Sequence, residues 1–191
     1  MSVVIAVKEK NRIVMGCDSQ VTYGQLKKSN NNNSCKIFEI KNCKNALLGV
    51  VGYKRDSQLL SVENNLIREI SILKNEINYE YVVKYLFNDI YEVLKNNNRI
   101  ERDSNGNLVN YIYDDFIFAY KNEAYLINGS CGSVEEIEDY LVIGSGEEVA
   151  IGVLENNKDK SAKERIKEAI KSCSERTIYV DNEVVVKTTK E

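Results

Sequence analysis

The stretch Gly16-Cys17-Asp18-Ser19-Gln20-Val21-Thr22-Tyr23-Gly24 sets one carboxylate, Asp18, where an apolar segment gives way to polar and turn-forming residues. Working back from it, Ile13-Val14-Met15-Gly16-Cys17 reads as a strand and Lys8-Glu9-Lys10-Asn11-Arg12 as a polar turn. Before that turn, Val3 to Val7 is a continuous apolar run of the kind found in strands buried on both faces. The two strands read as a hairpin. Ser2 opens the first strand and Asp18 closes the second, so the two residues are expected to be neighbours across the pair.

Working forward, Ser29 to Ser34, with four consecutive asparagines, reads as an exposed loop. Lys36 to Ile40 and Ala46 to Val51 read as a second strand pair. Leu59, Leu66, Ile70, Leu73 and Ile77 fall at helical spacing, and so do Val83, Leu86, Ile90 and Leu94. Tyr111 to Tyr120 and Glu123 to Ile127 are expected strands joined at Lys121-Asn122, and Tyr140 to Ile143 is a short strand. Gly144-Ser145-Gly146 leads into a helix carrying Ala150, Val153 and Leu154, with Ser145 as its cap. A further helix carries Ala162, Ile166, Ala169, Ile170 and Cys173, and two last strands, Thr177 to Val180 and Val184 to Lys187, flank a turn at Asp181-Asn182. The order is strands, helices, strands, helices, strands, with no linker and no repeat. It implies one α+β domain over residues 1–191, with helices covering the outer faces of sheets.

Composition narrows the chemistry. Of 191 residues, 43% are apolar and 29% charged, with a net charge of −3, as in an ordinary globular protein. Neither the charge balance nor any basic stripe supports nucleic-acid binding. No apolar run reaches the roughly 18 residues of a membrane span. The start of the chain does not resemble a signal peptide, so a cytoplasmic location is expected. There is no histidine, which excludes Ser-His-Asp and Cys-His nucleophilic sites and His-containing zinc sites. Five cysteines, at 17, 35, 43, 131 and 173, are irregularly spaced and read as reduced structural thiols. Gly144-Ser145-Gly146 after a strand hints at a dinucleotide loop, but its third glycine would fall at Val149 and too little chain follows for the full unit. No cofactor or metal is expected.

Without histidine, a proton acceptor must be a carboxylate, lysine, tyrosine, cysteine or the amino terminus itself. Ser2 follows Met1, and small side chains at that place permit removal of the methionine. A free α-amine has a reference pKa of about 7.7–8.0 and can take a proton from the hydroxyl of its own residue. Lys36 between sheets would be costly unless paired, and Asp18 is its natural partner. The lysine charge would stabilise a developing alkoxide. Gly49 and Gly52, at the end of the fourth strand, allow close approach of backbone to a substrate and can offer an N–H to an oxyanion. Taken singly, these features read better as a surface ion pair and turn glycines.

Taken in order, they resemble the proteasome β-type subunits and, more closely, the HslV-type bacterial peptidases. The resemblance rests on Ser2 at the first strand, the Gly16 to Gly24 segment, and Lys36-Ile37-Phe38. It continues through Gly49-Val50-Val51-Gly52, Ile143-Gly144-Ser145-Gly146 with Ala150 and Gly152, and Thr177-Ile178-Tyr179-Val180. It implies the N-terminal nucleophile hydrolase fold, a four-layer αββα sandwich of two antiparallel sheets between helix layers. It also implies Ser2 as nucleophile in place of the family's threonine, Asp18 and Lys36 as the supporting pair, and Gly49 as the oxyanion donor. Ser145 would lie near the terminal amine, and Leu47 and Val51 would line the pocket for an apolar residue before the scissile bond. Ser174 matches a supporting serine of the family, while Lys171 stands where the family carries an acid. By the same resemblance, the substrate is a peptide or unfolded protein, subunits form stacked homo-oligomeric rings, and a ring ATPase feeds them. The alternatives are a catalytically inactive structural or assembly subunit of the same fold and a hydrolase of small amides.

Overall fold

The computed structural model describes residues 2–23, 26–28, 36–63, 65–74 and 76–189. Met1, Gly24, the asparagine-rich loop and Cys35 lie outside the described residues.

The opening hairpin forms as its pattern predicts. β1 (Val3–Glu9) pairs antiparallel with β2 (Arg12–Asp18), Val4 opposite Cys17. A ribbon of β3 (Val21–Tyr23) and β4 (Leu26–Lys28) follows, and then the second pair, β5 (Ile37–Glu39) and β6 (Ala46–Val51), with Ile37 opposite Gly49. The helical stretch is more broken than its periodicity suggests. α1 (Lys54–Val62) and α2 (Glu69–Leu73) are separate helices, because Leu66 and Ile67 turn inward as buried residues of the connection. α3 (Tyr79–Tyr81) runs through a π-helical segment, Val82–Leu86, into α4 (Phe87–Asn96). Asn78 starts this run by accepting the Tyr81 N–H on its side chain.

β7 (Asp115–Tyr120), β8 (Glu123–Ile127) and β9 (Val134–Glu136) complete one sheet in the order β5-β6-β7-β8-β9. The expected strand from Tyr111 starts only at Asp115. Before it, the chain is held irregularly, the Ile112 N–H donating to the Gly129 carbonyl at 2.8 Å. β10 (Tyr140–Gly144) and β11 (Val184–Thr188) flank the hairpin in a second sheet, β10-β1-β2-β11. α5 (Glu147–Asn156) and α6 (Ala162–Arg176) lie between them in sequence. Gly146, not Ser145, is the N-cap of α5. Thr177 to Val180 is a turn and not the expected strand: β11 already occupies the β2 edge, and Val180 packs instead beneath α6.

Three buried clusters define four layers. Val3, Ile5, Val7, Val14 and Val142 pack under α5 and α6 against Ala150, Leu154, Ile166 and Ile170. Leu48, Val50, Phe116 and Phe118 pack on the other side under α1 to α4, against Leu60, Leu86, Ile90 and Leu94. Between the sheets lie Val4, Ala6, Ile13, Met15, Leu47, Ile117 and Ile143. The continuous apolar run Val3 to Val7 follows from this: alternate residues enter the inter-sheet core and the helix-side core. The architecture is α+β, two antiparallel sheets between helix layers.

Candidate active site

Ser2 sits at the mouth of the sandwich, 8% exposed, where β1 begins. Two strands hold its main chain. On one side, Val3 pairs with Gly144 of β10, and the Ser145 N–H donates to the Ser2 carbonyl at 2.8 Å. Gly144, with φ +106°, approaches so closely that a Cβ there would collide with that carbonyl. On the other side is Asp18 at the end of β2, whose Oδ1 accepts the Val3 N–H at 2.9 Å.

Asp18 is 1% exposed and fully engaged. Its Oδ1 also lies 2.6 Å from the Lys36 Nζ, and its Oδ2 accepts the Gln20 N–H at 3.0 Å. Lys36, 8% exposed, opens β5 and carries its charge across from the other sheet. Its ammonium meets Asp18 as an ion pair, with no in-line hydrogen-bond acceptor among the described residues, so donors remain to face the pocket. Ser2 and Lys36 line a small cavity of about 70 Å³ with Gln20, Val50, Gly52 and Tyr53, and the N-terminal turn of α1 adds Lys54 and Ser57.

The turn at 178–183 braces this corner, a contribution the strand reading of 177–180 missed. Asp181, buried, accepts the Ser19 N–H at 3.1 Å and the Ser19 hydroxyl at 2.9 Å, while Gln20 Nε2 donates to the Ile178 carbonyl at 2.9 Å. The signal for Asp181 was the turn sequence Asp181-Asn182 beside a strand end; nothing local told that it would reach Ser19.

The structure thus gathers Ser2, Asp18, Lys36 and the backbone of Ser145. It places the other expected residues elsewhere. Gly49 lies mid-strand in β6, between β5 and β7. The Val50 N–H goes to the Lys36 carbonyl at 2.9 Å, so strand alternation turns the Gly49 N–H to its partner Ile117 in β7, away from the pocket. Gly52, beyond the strand end, is the glycine on the pocket wall. Leu47 and Val51 share the Gly49 face, which is the inter-sheet face: Leu47 is buried there at 1% and Val51 packs against the same cluster, and neither lines the cavity. Val50, on the opposite face, does. Ser145 is exposed, and Ser174, on α6, uses its hydroxyl within its own helix, donating to the Lys171 carbonyl at 2.7 Å. Lys171 points to solvent.

The buried thiols are poor nucleophiles. Burial pushes both Cys43 and Cys173 up to about 11, and the Cys173 Sγ donates to the Gly146 carbonyl at 3.2 Å. Cys17, Cys43, Cys131 and Cys173 are all unbridged. Among the described residues no cluster of acidic or thiol groups could hold a metal ion, and no helix is long and apolar enough to cross a membrane.

Sequence comparison settles the family. The proteasome subunit family matches residues 2–189. The chain belongs to the proteasome subunit family. No curated protein sequence matches it significantly. Among solved structures, the proteasome-family chain superposes on Thiobacillus denitrificans BPH with a TM-score of 0.75 at 15% identity, covering 97% of this chain and 96% of that one. The same protein in complex with epoxomicin gives 0.74 at 16% identity, covering 97% of each chain. The eukaryotic HslV from Trypanosoma brucei gives 0.65 at 19%, covering 97% and 98%. At these identities the superpositions establish a shared fold, which is the N-terminal nucleophile hydrolase sandwich of proteasome and HslV chains.

Proposed function

We propose that this proteasome-family chain is a peptidase subunit in which Ser2, exposed by removal of Met1, is the nucleophile. The observation that carries the reading is the buried Lys36–Asp18 pair, whose lysine lines the Ser2 cavity. A sealed ion pair is no gain for stability over apolar packing, so its presence beside a hydroxyl at a strand start supports a chemical role. The Ser2 α-amine takes the hydroxyl proton, and Lys36 stabilises the alkoxide as it forms. The oxygen attacks a peptide carbonyl, an acyl-enzyme forms with departure of the amine product, and water releases the acyl group. Gly52, and not Gly49, is the glycine whose backbone faces the reacting carbonyl. A cavity of about 70 Å³ admits one short side chain, with Val50 as its apolar wall, while the peptide lies across the mouth.

Assembly into stacked rings and delivery of unfolded protein by a ring ATPase belong to the same proposal, supported by family membership. A second reading, an assembly subunit without catalysis, draws on one observation: Ser174 and Lys171 at the end of α6 contribute nothing to the Ser2 corner. One experiment separates the two. Purified protein and Ser2→Ala are compared for hydrolysis of a fluorogenic peptide with a small apolar residue before the scissile bond. The peptidase reading expects turnover by the parent and a loss of about a thousandfold or more in the variant. Equal turnover in the two removes Ser2 as the nucleophile, and no turnover by either with the oligomer intact supports the assembly subunit.

A further inference from the structure

Beneath the turn that forms the pocket wall lies a buried pair of acids that the peptidase reading does not use. The Tyr53 N–H donates to Asp114 Oδ1 at 2.6 Å, and a Cβ at Gly52 would collide with the same carboxyl group. Asp114 sits just before β7 and is fully buried. Its Oδ2 is enclosed and finds no ordinary donor among the described residues. The carboxyl of Asp56, 3% exposed on α1, lies within hydrogen-bonding reach of the Asp114 carboxyl. Asp56 is in turn ion-paired to Arg99, just beyond α4, whose guanidinium lies 5.6 Å from the Tyr53 ring centre.

We propose that Asp114 is a positioning residue of the Ser2 pocket. Its acid form accepts the Tyr53 N–H on one oxygen, donates its proton to Asp56 from the other, and so holds the Gly52–Tyr53 turn against the nucleophile. Two enclosed carboxyl groups touch each other and only Asp56 meets the guanidinium, so one negative charge is balanced and the second is not, and they share a proton. The physical setting agrees with this. Burial pushes Asp114 up to about 8; the Asp56 carboxylate adds to the rise, and the Tyr53 N–H and Arg99 oppose it. Among the described residues, the charged group that acts on the pair from outside is Arg99, on the α4 side. Tyr113 and Glu101 stand at the mouth of the adjoining cavity of about 400 Å³, and Asp115 is turned away onto the Gly129 N–H at 3.0 Å. Ionisation of Asp114 sets two like charges together under the turn, and the pocket wall loosens.

The kinetic arm of the test rests on the peptidase reading; the thermal arm does not. Wild type, Asp114→Asn and Asp114→Ala are followed from pH 4 to 10 for peptide hydrolysis and for melting temperature. In wild type, hydrolysis rises as the Ser2 amine loses its proton and then falls about tenfold per pH unit above about 8. Asp114→Asn, shaped like the neutral acid, keeps the acid limb and loses the alkaline one, while Asp114→Ala is slowed at least about tenfold throughout. The sign for stability follows from the raised value: the unfolded chain holds fewer protons than the folded one between about 4 and about 8. Wild type therefore loses melting temperature relative to Asp114→Asn as pH rises through that window, and the gap is constant above it. An unchanged alkaline limb in Asp114→Asn, or parallel melting profiles, overturns the proposal. If wild type is inert at every pH, the peptidase reading fails and the melting profiles still decide Asp114. Carbon-13 titration of the Asp114 carboxyl in wild type decides it without any variant: neutral at pH 6.5 is expected, ionised there overturns it.

Discussion

Asp18 holds three groups at once: the Val3 N–H, the Gln20 N–H and the Lys36 ammonium. Removing it leaves a buried cation without its partner. Asp18→Ala is therefore expected to lower unfolding free energy by about 3–5 kcal/mol in denaturant titrations and to remove hydrolysis. Gly49, within β6, and Gly52, just beyond its end, differ in what a methyl would meet. Gly49→Ala presses a methyl to 2.8 Å from both Met15 Cε and Val4 Cγ1, an overpacking cost of about 1–3 kcal/mol seen chiefly in stability. Gly52→Ala, at φ +155°, drives its methyl into the Asp114 carboxyl under the pocket wall, so melting temperature and kcat/KM fall together. Asp18, Lys36 and Ser2 were legible in the sequence because each stands at the end of a strand whose pairing the hydrophobic pattern dictates. The choice between Gly49 and Gly52 was not, because it depends on which neighbour strand receives each N–H. Asp114 was hidden for another reason: as one of two consecutive aspartates in the stretch Tyr111 to Tyr120 that reads as a strand, it carries no local sign of its burial against the Gly52–Tyr53 turn.

At the scale of elements, α6 secures the back of the sheet that carries Ser2 and Asp18. Its start carries a reciprocal cap: Ser161 Oγ accepts the Glu164 N–H at 3.4 Å and Glu164 Oε2 accepts the Ser161 N–H at 3.1 Å. Its buried face sets Ile166, fully enclosed, on β1 and β2. Ile166→Ala is expected to cost about 2–5 kcal/mol, and Ser161→Ala about 1 kcal/mol, in thermal or denaturant unfolding. The helix was readable from Ala162, Ile166, Ala169, Ile170 and Cys173 because one strong stripe faces one sheet. The stretch after it was misread. Thr177-Ile178-Tyr179-Val180 has strand-forming residues, yet β2 has only one free edge and β11 takes it. The turn that results leaves Ile178 76% exposed and frees its carbonyl and Asp181 to brace Gln20 and Ser19. Likewise Leu59 to Ile77 kept helical spacing across two helices, because Leu66 and Ile67 remain buried through the break.

At the scale of the molecule, three cores stacked between four layers place β1, β2, β5 and β6 so that residues from both sheets meet at one end of the sandwich. This explains how a lysine on one sheet can pair with an aspartate on the other, and why the order of motifs along the chain carried the fold. As a proteasome-family chain, the protein is expected to sediment as a ring-sized oligomer; a monomer alone at micromolar concentration in light scattering would count against the assembly proposed. The central claim, that Ser2 becomes a terminal nucleophile in the Asp18–Lys36 corner, is tested most directly by mass spectrometry after incubation with a peptide that carries an electrophilic carbonyl group. The account predicts a chain lacking Met1 and bearing one adduct, located on the peptide that begins at Ser2. A chain that retains Met1, or one whose label maps to any other residue, would contradict it.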